Sequence, residues 1–328
     1  MKAIQIINPG KSSTLKVGEI PTPEPGPKEI LVKIKATAVN RADLLQRAGN
    51  YPSPEGASEI LGLEMAGVVE KAGSEANLWK PGDKVFSLLS GGGYAEYCVI
   101  HEDMAISIPG NLSFEEAAAI PETFLTAFQA LVWLGKLQEF ETVLIHAGGS
   151  GVGTAAIQLA RHLLDAEIAT TAGQAHKLEK CKELGANFAY NYKEQNFVDE
   201  IKKDIGEEQV NLIIDFIGAP YWEKNIDVLK MGGKVVYLSF LGGHKIKNLS
   251  LAPILRKRLS IMGSTLRNRS DDYKIALTKD FVDRSLSLFE DNTLKPVIDS
   301  TFDWKEVEKA HQRMKENKNT GKIVLAEI

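Results

Sequence analysis

Apolar and polar residues alternate through much of the first third of the chain. ILVKIKATAV, from Ile30 to Val39, has the period of two that marks a half-buried strand, and GGGYAEYCVI, from Gly91 to Ile100, alternates again. In KPGDKVFSLL, Pro81-Gly82 suits the centre of a type II turn: proline fixes φ at the first position and glycine accepts the positive φ at the second. TPEPGPKE, from Thr22 to Glu29, is too rich in proline for a helix or a central strand and reads as a surface loop. The opening MKAIQIINPGKSS reads as a strand and a turn. Together these segments predict a compact, mainly β domain over residues 1–120.

From about Leu112 the pattern changes. Ser113 is followed three residues later by Glu116, the spacing of a capping box, ahead of an alanine-rich helix. Pro121 interrupts it, and a second amphipathic helix runs on to Gly135. Strands and helices then alternate. VLIHA, EIATT, FAYNY, NLIIDFI and KVVYLS are the strands, with helices centred near Gln158, Glu179, Ile201 and Val228. That order predicts a parallel, doubly wound sheet over residues 121–264, because right-handed crossovers place helices on both faces. RLSIMGS, from Arg258 to Ser264, adds a further strand. The remainder, residues 265–328, is helical and ends in GKIVLAEI, a strand that returns to the first domain. No internal repeat is visible.

Composition narrows the class. A chain of 328 residues, 44% hydrophobic and 25% charged, has the make-up of an ordinary globular enzyme. A net charge of −4 gives no general pull toward nucleic acid or anionic lipid. The most basic run, LRKRLS, lacks interleaved aromatics, so no nucleic-acid partner is expected. Cys98 and Cys181 cannot build a disulfide framework or a four-thiolate zinc site. No secretory leader and no window of about 20 apolar residues occurs, so no membrane span is expected and the expectation is a cytoplasmic protein.

Chemistry concentrates in VLIHAGGSGVGTAAIQLARHL, from Val143 to Leu163. The dinucleotide spacing G-x-G-x-x-G is not strictly met: from Gly148 the third position is Ser150, and from Gly149 the last is Thr154. The context carries the reading instead. A strand, a glycine loop and a helix start aim unpaired N–H groups at a phosphate, so Ser150, Gly151, Val152 and Gly153 are expected to hold a pyrophosphate. A ligand-free turn is the alternative. An NAD site usually ends its second strand in an acid; here TTAGQAHK places Gly173 and Gln174 there, with Lys177 beyond. Nothing repels a 2′-phosphate and Lys177 can pair with one, so the expected cofactor is NADPH. Lys177 can equally be a solvated lysine at a helix start.

The chain resembles the zinc-independent medium-chain reductases of the quinone oxidoreductase, zeta-crystallin-like group, within it the p53-inducible type. The segments that carry this are Asn40 to Val69, AAAIPETFLTAFQAL, LIHAGGSGVGTAAIQLAR, PYWEKN and NKNTGKIVL, in order and across essentially the whole length. The resemblance implies a GroES-like catalytic domain, a Rossmann domain and a final segment returning to the first, in a homodimer. Zinc-dependent relatives carry a cysteine where this chain has Asn40-Arg41-Ala42-Asp43, and Gly-His-Glu where it has Gly62-Leu63-Glu64. Leucine cannot ligate zinc, so no metal is expected. Glu64 is then expected to serve structure by pairing a basic residue. Without a Lewis acid simple alcohols are poor substrates, whereas a quinone accepts hydride readily.

The resemblance places Asn40 and Tyr51 in the substrate cleft, Asn40 to donate to the reduced oxygen and Tyr51 to offer a phenol and a flat ring. A turn asparagine and a loop tyrosine are the plainer readings. Gly173, Lys177 and Tyr192 are expected around the 2′-phosphate, although Tyr192 can be a core aromatic at a strand end. Ile217-Gly218 and Phe240-Leu241-Gly242 lie at strand ends, where ligands gather in such sheets, and are assigned to the nicotinamide half. Leu266, Arg267, Asn268 and Lys322 match the family's returning segment, with surface cations the alternative for Arg267 and Lys322. His146 is read as structural. The expected activity is NADPH-dependent quinone reduction. Reduction of an activated C=C bond, with Tyr51 as acid, is a rival; an NADPH- or RNA-binding protein without turnover is the other. KVVYLS or RLSIMGS should form an open sheet edge, and Leu259–Met262 carry neither proline nor charge, so this edge can pair with a second copy. A tail helix covering it would leave a monomer.

Overall fold

In the computed structural model, which describes residues 1–10 and 12–328, the chain forms two compact units. Met1–Leu125 and Leu266–Ile328 make the first, and Thr126–Thr265 the second. The dividing point falls inside the helix Pro121–Phe128 rather than ahead of it.

The first unit is built on a sheet whose central strand, Glu29–Val39, pairs antiparallel with Glu64–Ala72, Tyr97–His101 and the late strand Lys322–Ala326. Ile323 stands opposite Val39, so the end of the chain does return to its beginning. An additional strand absent from the sequence reading, Ile298–Asp303, lies parallel to Lys322–Ala326. Ile30, Val32 and Ile34 point into a core with Met65, Val69, Val85 and Ile100, as the alternation requires. Ala36 to Val39 are all buried, however, so this end of the strand is not half-buried. The helix Phe114–Ala118 packs against it. Asp83 N donates to Lys80 O at 3.1 Å and Gly82 has φ +98°, which is the expected turn geometry. The capping box is present: Ser113 Oγ accepts from Glu116 N at 3.1 Å and Glu116 Oε2 from Ser113 N at 2.9 Å.

The second unit is a six-stranded parallel sheet. Its order is Phe188–Asn191, Glu167–Ala172, Thr142–Ile145, Val210–Asp215, Leu229–Tyr237, Ser260–Gly263. The order reverses beside Thr142–Ile145, which makes the carboxyl end of that strand the place where a ligand binds in such sheets. Leu229–Tyr237 begins earlier than KVVYLS and is interior; Ser260–Gly263 is the edge, with Ile261 36% exposed. Val228, expected near a helix centre, is the last residue of the helix Trp222–Val228. The helix opened by Pro121 continues as a π-helix, Gln129–Leu134, up to Gly135. A Cβ at Gly135 would stand 2.6 Å from Ala130 O, a backbone approach that requires glycine. Among the described residues no helix is long and apolar enough to cross a membrane.

Candidate cofactor and acceptor sites

In the second unit, the fully buried strand Thr142–Ile145 delivers the chain to the glycine loop, and the helix Gly151–His162 leaves it with Ser150 as N-cap. Ser150 Oγ accepts from Gly153 N at 3.0 Å, so the hydroxyl keeps its hydrogen for an outside acceptor. Gly151 and Val152 lie in the first turn, where N–H groups have no partner within the helix. A Cβ at Gly153 would sit 2.4 Å from Ala147 O, which explains glycine there. These residues fit a pyrophosphate.

The neighbouring strand ends bring lysine and tyrosine side chains against two glycines. A Cβ on Gly149 would meet the Lys177 side chain at 2.9 Å, so the stem of Lys177 lies against the glycine loop. A Cβ on Gly173 would meet the Tyr192 hydroxyl at 2.7 Å and Lys193 Cε at 2.9 Å. Gly173, Tyr192 and Lys193 therefore converge, and Tyr192, 44% exposed, is not a core aromatic. Lys193 was missed by the sequence reading. Its signal was present, a second cation directly after Tyr192, but it needs the pairing of Asn191 with Ala172 to reach Gly173.

Ile217-Gly218 and Phe240-Leu241-Gly242 are laced together. Leu241 N donates to Phe216 O and Gly242 N to Ile217 O, each at 2.9 Å. Gly218 has φ +85°, and a Cβ there would stand 2.6 Å from Gly243 O. Buried Asp215 holds the first loop by accepting from Ile217 N at 2.5 Å and Gly218 N at 3.0 Å. Its other oxygen accepts from Asn225 Nδ2 at 2.6 Å, which turns Asn225 Oδ1 toward His146 Nε2 at 2.8 Å. His146 therefore carries its proton on Nε2 and accepts from Thr171 Oγ1 through Nδ1, at 2.9 Å. Burial holds its pKa below the ordinary value, consistent with a structural, neutral histidine. Phe240 and Leu241 are about half exposed beside an open surface pocket of about 440 Å³, lined by Ala219, Pro220 and the run from Gly242 to Lys247.

In the first unit, Asn40 opens the helix Arg41–Arg47, and its backbone N–H is held by Asp43 Oδ2 at 2.7 Å. Its side chain is fully committed. Nδ2 donates to Glu64 Oε1 at 2.8 Å and to Ala38 O at 3.3 Å, and Oδ1 accepts from Lys322 Nζ at 2.7 Å. Asn40 therefore has no hydrogen left for an acceptor's oxygen, which runs against its expected role as donor. The same holds for Lys322. It is 3% exposed, and its three hydrogens go to Asn40 Oδ1, Val39 O at 3.1 Å and Glu64 Oε1 at 2.6 Å, so it is neither a surface cation nor available to a cofactor. Glu64 does pair a basic residue, as expected, and its second oxygen accepts from Glu122 N at 2.9 Å. Beneath Asn40, the Tyr94 hydroxyl bridges Asp43 Oδ2 at 3.2 Å and His311 Nε2 at 3.1 Å. Burial raises Asp43 to about 6 and lowers His311 to about 3.

Tyr51 is half-buried, with the Arg267 guanidinium 5.3 Å above its ring. Burial, chiefly, pushes its phenol above the usual range. Arg267 is 3% exposed, not a surface cation; Leu266 is buried and Asn268 exposed. Glu122, also absent from the sequence reading, has its carboxyl pushed up to about 8, first by burial and then by the charge of Glu64. It follows the helix-opening proline of AAAIPETF, and nothing in that segment signals burial. Leu63 is buried, and among the described residues no group of three or more His, Cys, Asp or Glu side chains can hold a metal.

Comparison with known proteins gives two family matches: residues 26–110 to the alcohol dehydrogenase GroES-like domain, and residues 151–281 to zinc-binding dehydrogenase. The chain is 31% identical to a quinone oxidoreductase of Homo sapiens over 99% of its own length and 97% of that protein. It is 34% identical to the Homo sapiens synaptic vesicle membrane protein VAT-1 homolog, over 92% of this chain and 80% of that one. Among solved structures, an NAD-dependent alcohol dehydrogenase superposes with a TM-score of 0.87 at 32% identity, covering 99% of both chains. The Escherichia coli quinone oxidoreductase complexed with NADPH gives 0.85 at 27% identity, again over 99% of both. JamJ enoyl reductase gives 0.84 at 27%, over 99% of this chain and 98% of the other.

Proposed function

Because the chain belongs to the medium-chain dehydrogenase/reductase family, zeta-crystallin-like type, we propose that it reduces a quinone with NADPH and without a metal. That it is an oxidoreductase using a nicotinamide cofactor follows from the family; the phosphorylated cofactor and the quinone go beyond it. The observation that carries it is the convergence of Gly173, Tyr192 and Lys193, with Lys177 on the glycine loop and no acid at the end of Glu167–Ala172. One cation against Gly149 and another against Gly173 favour a 2′-phosphate over a bare ribose.

The bound nicotinamide supplies the hydride. Ser150 to Gly153 hold the pyrophosphate through N–H groups and one hydroxyl, and Ile217-Gly218 with Phe240 to Gly242 orient the nicotinamide half. Leu266 and Asn268 are assigned to the cofactor by the resemblance. In the first unit Tyr51 offers a flat ring to a planar acceptor. Asn40, Glu64 and Lys322 hold the loop that opens Arg41–Arg47 in place. Orientation is the main contribution of such a protein to an acceptor as electrophilic as a quinone.

Reduction of an activated C=C bond is the second reading, favoured by the half-buried Tyr51 and by Glu122, whose carboxyl burial pushes up to about 8; either can supply a proton. Following NADPH oxidation with a panel of quinones, enones and enoyl thioesters tests both. Turnover restricted to thioesters would replace the quinone reading, and turnover with NADH alone would remove the cofactor assignment. The open edge Ser260–Gly263 is assigned to a second copy of the chain.

A further inference from the structure

Arg267 is a buried cation without a counter-charge. Its Nε donates to Ser90 O at 2.8 Å and its Nη2 to Ser53 Oγ at 3.1 Å, both neutral oxygens. Nη1 is buried and has no partner. Among the described residues Arg267 forms no ion pair; Asp43 and Glu122 act on it only through space. Burial and the charge of Glu64 push the Glu122 carboxyl up to about 8, and its Oε2, like Arg267 Nη1, has no hydrogen-bond partner, so the two form no ion pair. The fork cannot swing freely to find one. Ser53 Oγ, which receives Nη2, also accepts from Gln46 Nε2 at 3.1 Å and donates to Ser58 O at 3.1 Å. The guanidinium is further held 5.3 Å above the ring of Tyr51.

A buried donor left unpaired is destabilising, and more so when charged. Such an atom is completed by an ordered water or by a ligand. Resting on the acceptor reading above, we infer that Arg267 Nη1 binds an anionic oxygen, a carboxylate, carried by a flat conjugated acceptor that lies against Tyr51. Guanidinium suits this task because its N–H groups are directional and its charge is permanent. The favoured acceptors are then quinones or conjugated alkenes bearing an acid group. Neutral quinones keep only the ring contact. Arg267, assigned to the cofactor by resemblance, is thereby placed on the acceptor's side through its side chain.

The test needs no turnover. Binding of 4-hydroxycinnamate and of its neutral amide to the cofactor-free protein is measured by calorimetry at pH 7, with and without saturating NADP⁺. The wild-type protein should prefer the carboxylate by roughly tenfold or more, the scale of one charge-assisted hydrogen bond. NADP⁺ should not displace it. Arg267→Gln should bring the preference to about one while the amide still binds, and Arg267→Lys should retain part of it. Equal binding of the two probes by wild type, no binding of either at millimolar concentration, or displacement of the carboxylate by NADP⁺ would each overturn the inference. The wild-type comparison stands even where a variant fails to fold. A carboxylate preference in a protein that reduces no acceptor would remove the reductase reading and leave this site. Quinone turnover with no preference would do the reverse.

Discussion

Replacing Lys322 with methionine should cost the first unit a large share of its stability. The reason lies in what remains. Glu64 is 0% exposed, and loses a 2.6 Å ion pair while keeping Asn40 Nδ2 on the same oxygen and Glu122 N on the other. Removing one partner of a buried pair costs about 3–5 kcal/mol, because the other charge stays desolvated. Two surviving hydrogen bonds put the expectation at the lower end, about 3 kcal/mol. At about 2–4 °C per kcal/mol for a unit of this size, its transition should fall by roughly 6–12 °C. Scanning calorimetry suits the measurement, since two units need not unfold together. The double variant Lys322→Met with Glu64→Gln should recover much of the loss, because neither charge of the pair is then left buried. A single-variant loss below about 1 kcal/mol, the value of a surface pair, would refute the reasoning. So would a double variant no better than the single one.

Lys177→Ala and Lys193→Ala should each weaken NADPH by about 1–2 kcal/mol while sparing NADH, measured by fluorescence titration; equal losses for both cofactors would discard the 2′-phosphate assignment. Glu122→Gln should stabilise the protein at pH 9 and do little at pH 4. The raised carboxyl keeps its proton in the folded state while the unfolded chain ionises, so wild-type stability falls as pH rises from 4.5 through about 8, and a pH-independent difference in urea midpoint would contradict this. Ile261→Pro should convert a dimer to monomers in light scattering, because Ile261 lies mid-strand at the open edge; a wild-type mass of one chain would end the dimer reading. Prolonged chelation should leave turnover unchanged, since Leu63 cannot ligate zinc, and stoichiometric zinc in active protein would show otherwise.

What was legible in the sequence was local. The glycine loop declared itself because strand, loop and helix start are consecutive, and Ser113 with Glu116 formed the capping box that their spacing implied. Long-range partners were not legible. Asn40 looked like a donor because nothing nearby in sequence uses its amide; Glu64 and Lys322, which do, arrive from 24 and 282 residues away. For Arg267 and Lys322 a surface position stood as the alternative to a cofactor contact, since a lysine or arginine beside polar residues gives no hint that the fold will enclose it. Ile30–Val39 read as half-buried because alternation reports one covered face, and the helix that covers the other face is separate from it in sequence. The zeta-crystallin-like resemblance recovered the architecture that periodicity alone left incomplete.

The returning strand has a consequence for the order in which the protein is born. Glu64 emerges early and must wait for Lys322, 258 residues later, before its charge is answered. At translation rates of about 5–20 residues per second that wait is roughly 10–50 s. The second unit is continuous, Thr126–Thr265, and can collapse on the nascent chain in the meantime. The first unit cannot be finished, because the strand paired with Glu29–Val39 has not yet been made. Throughout that interval the opening segment is an exposed, incomplete sheet carrying an unmatched acid, and it is then the part of the molecule most in need of a chaperone.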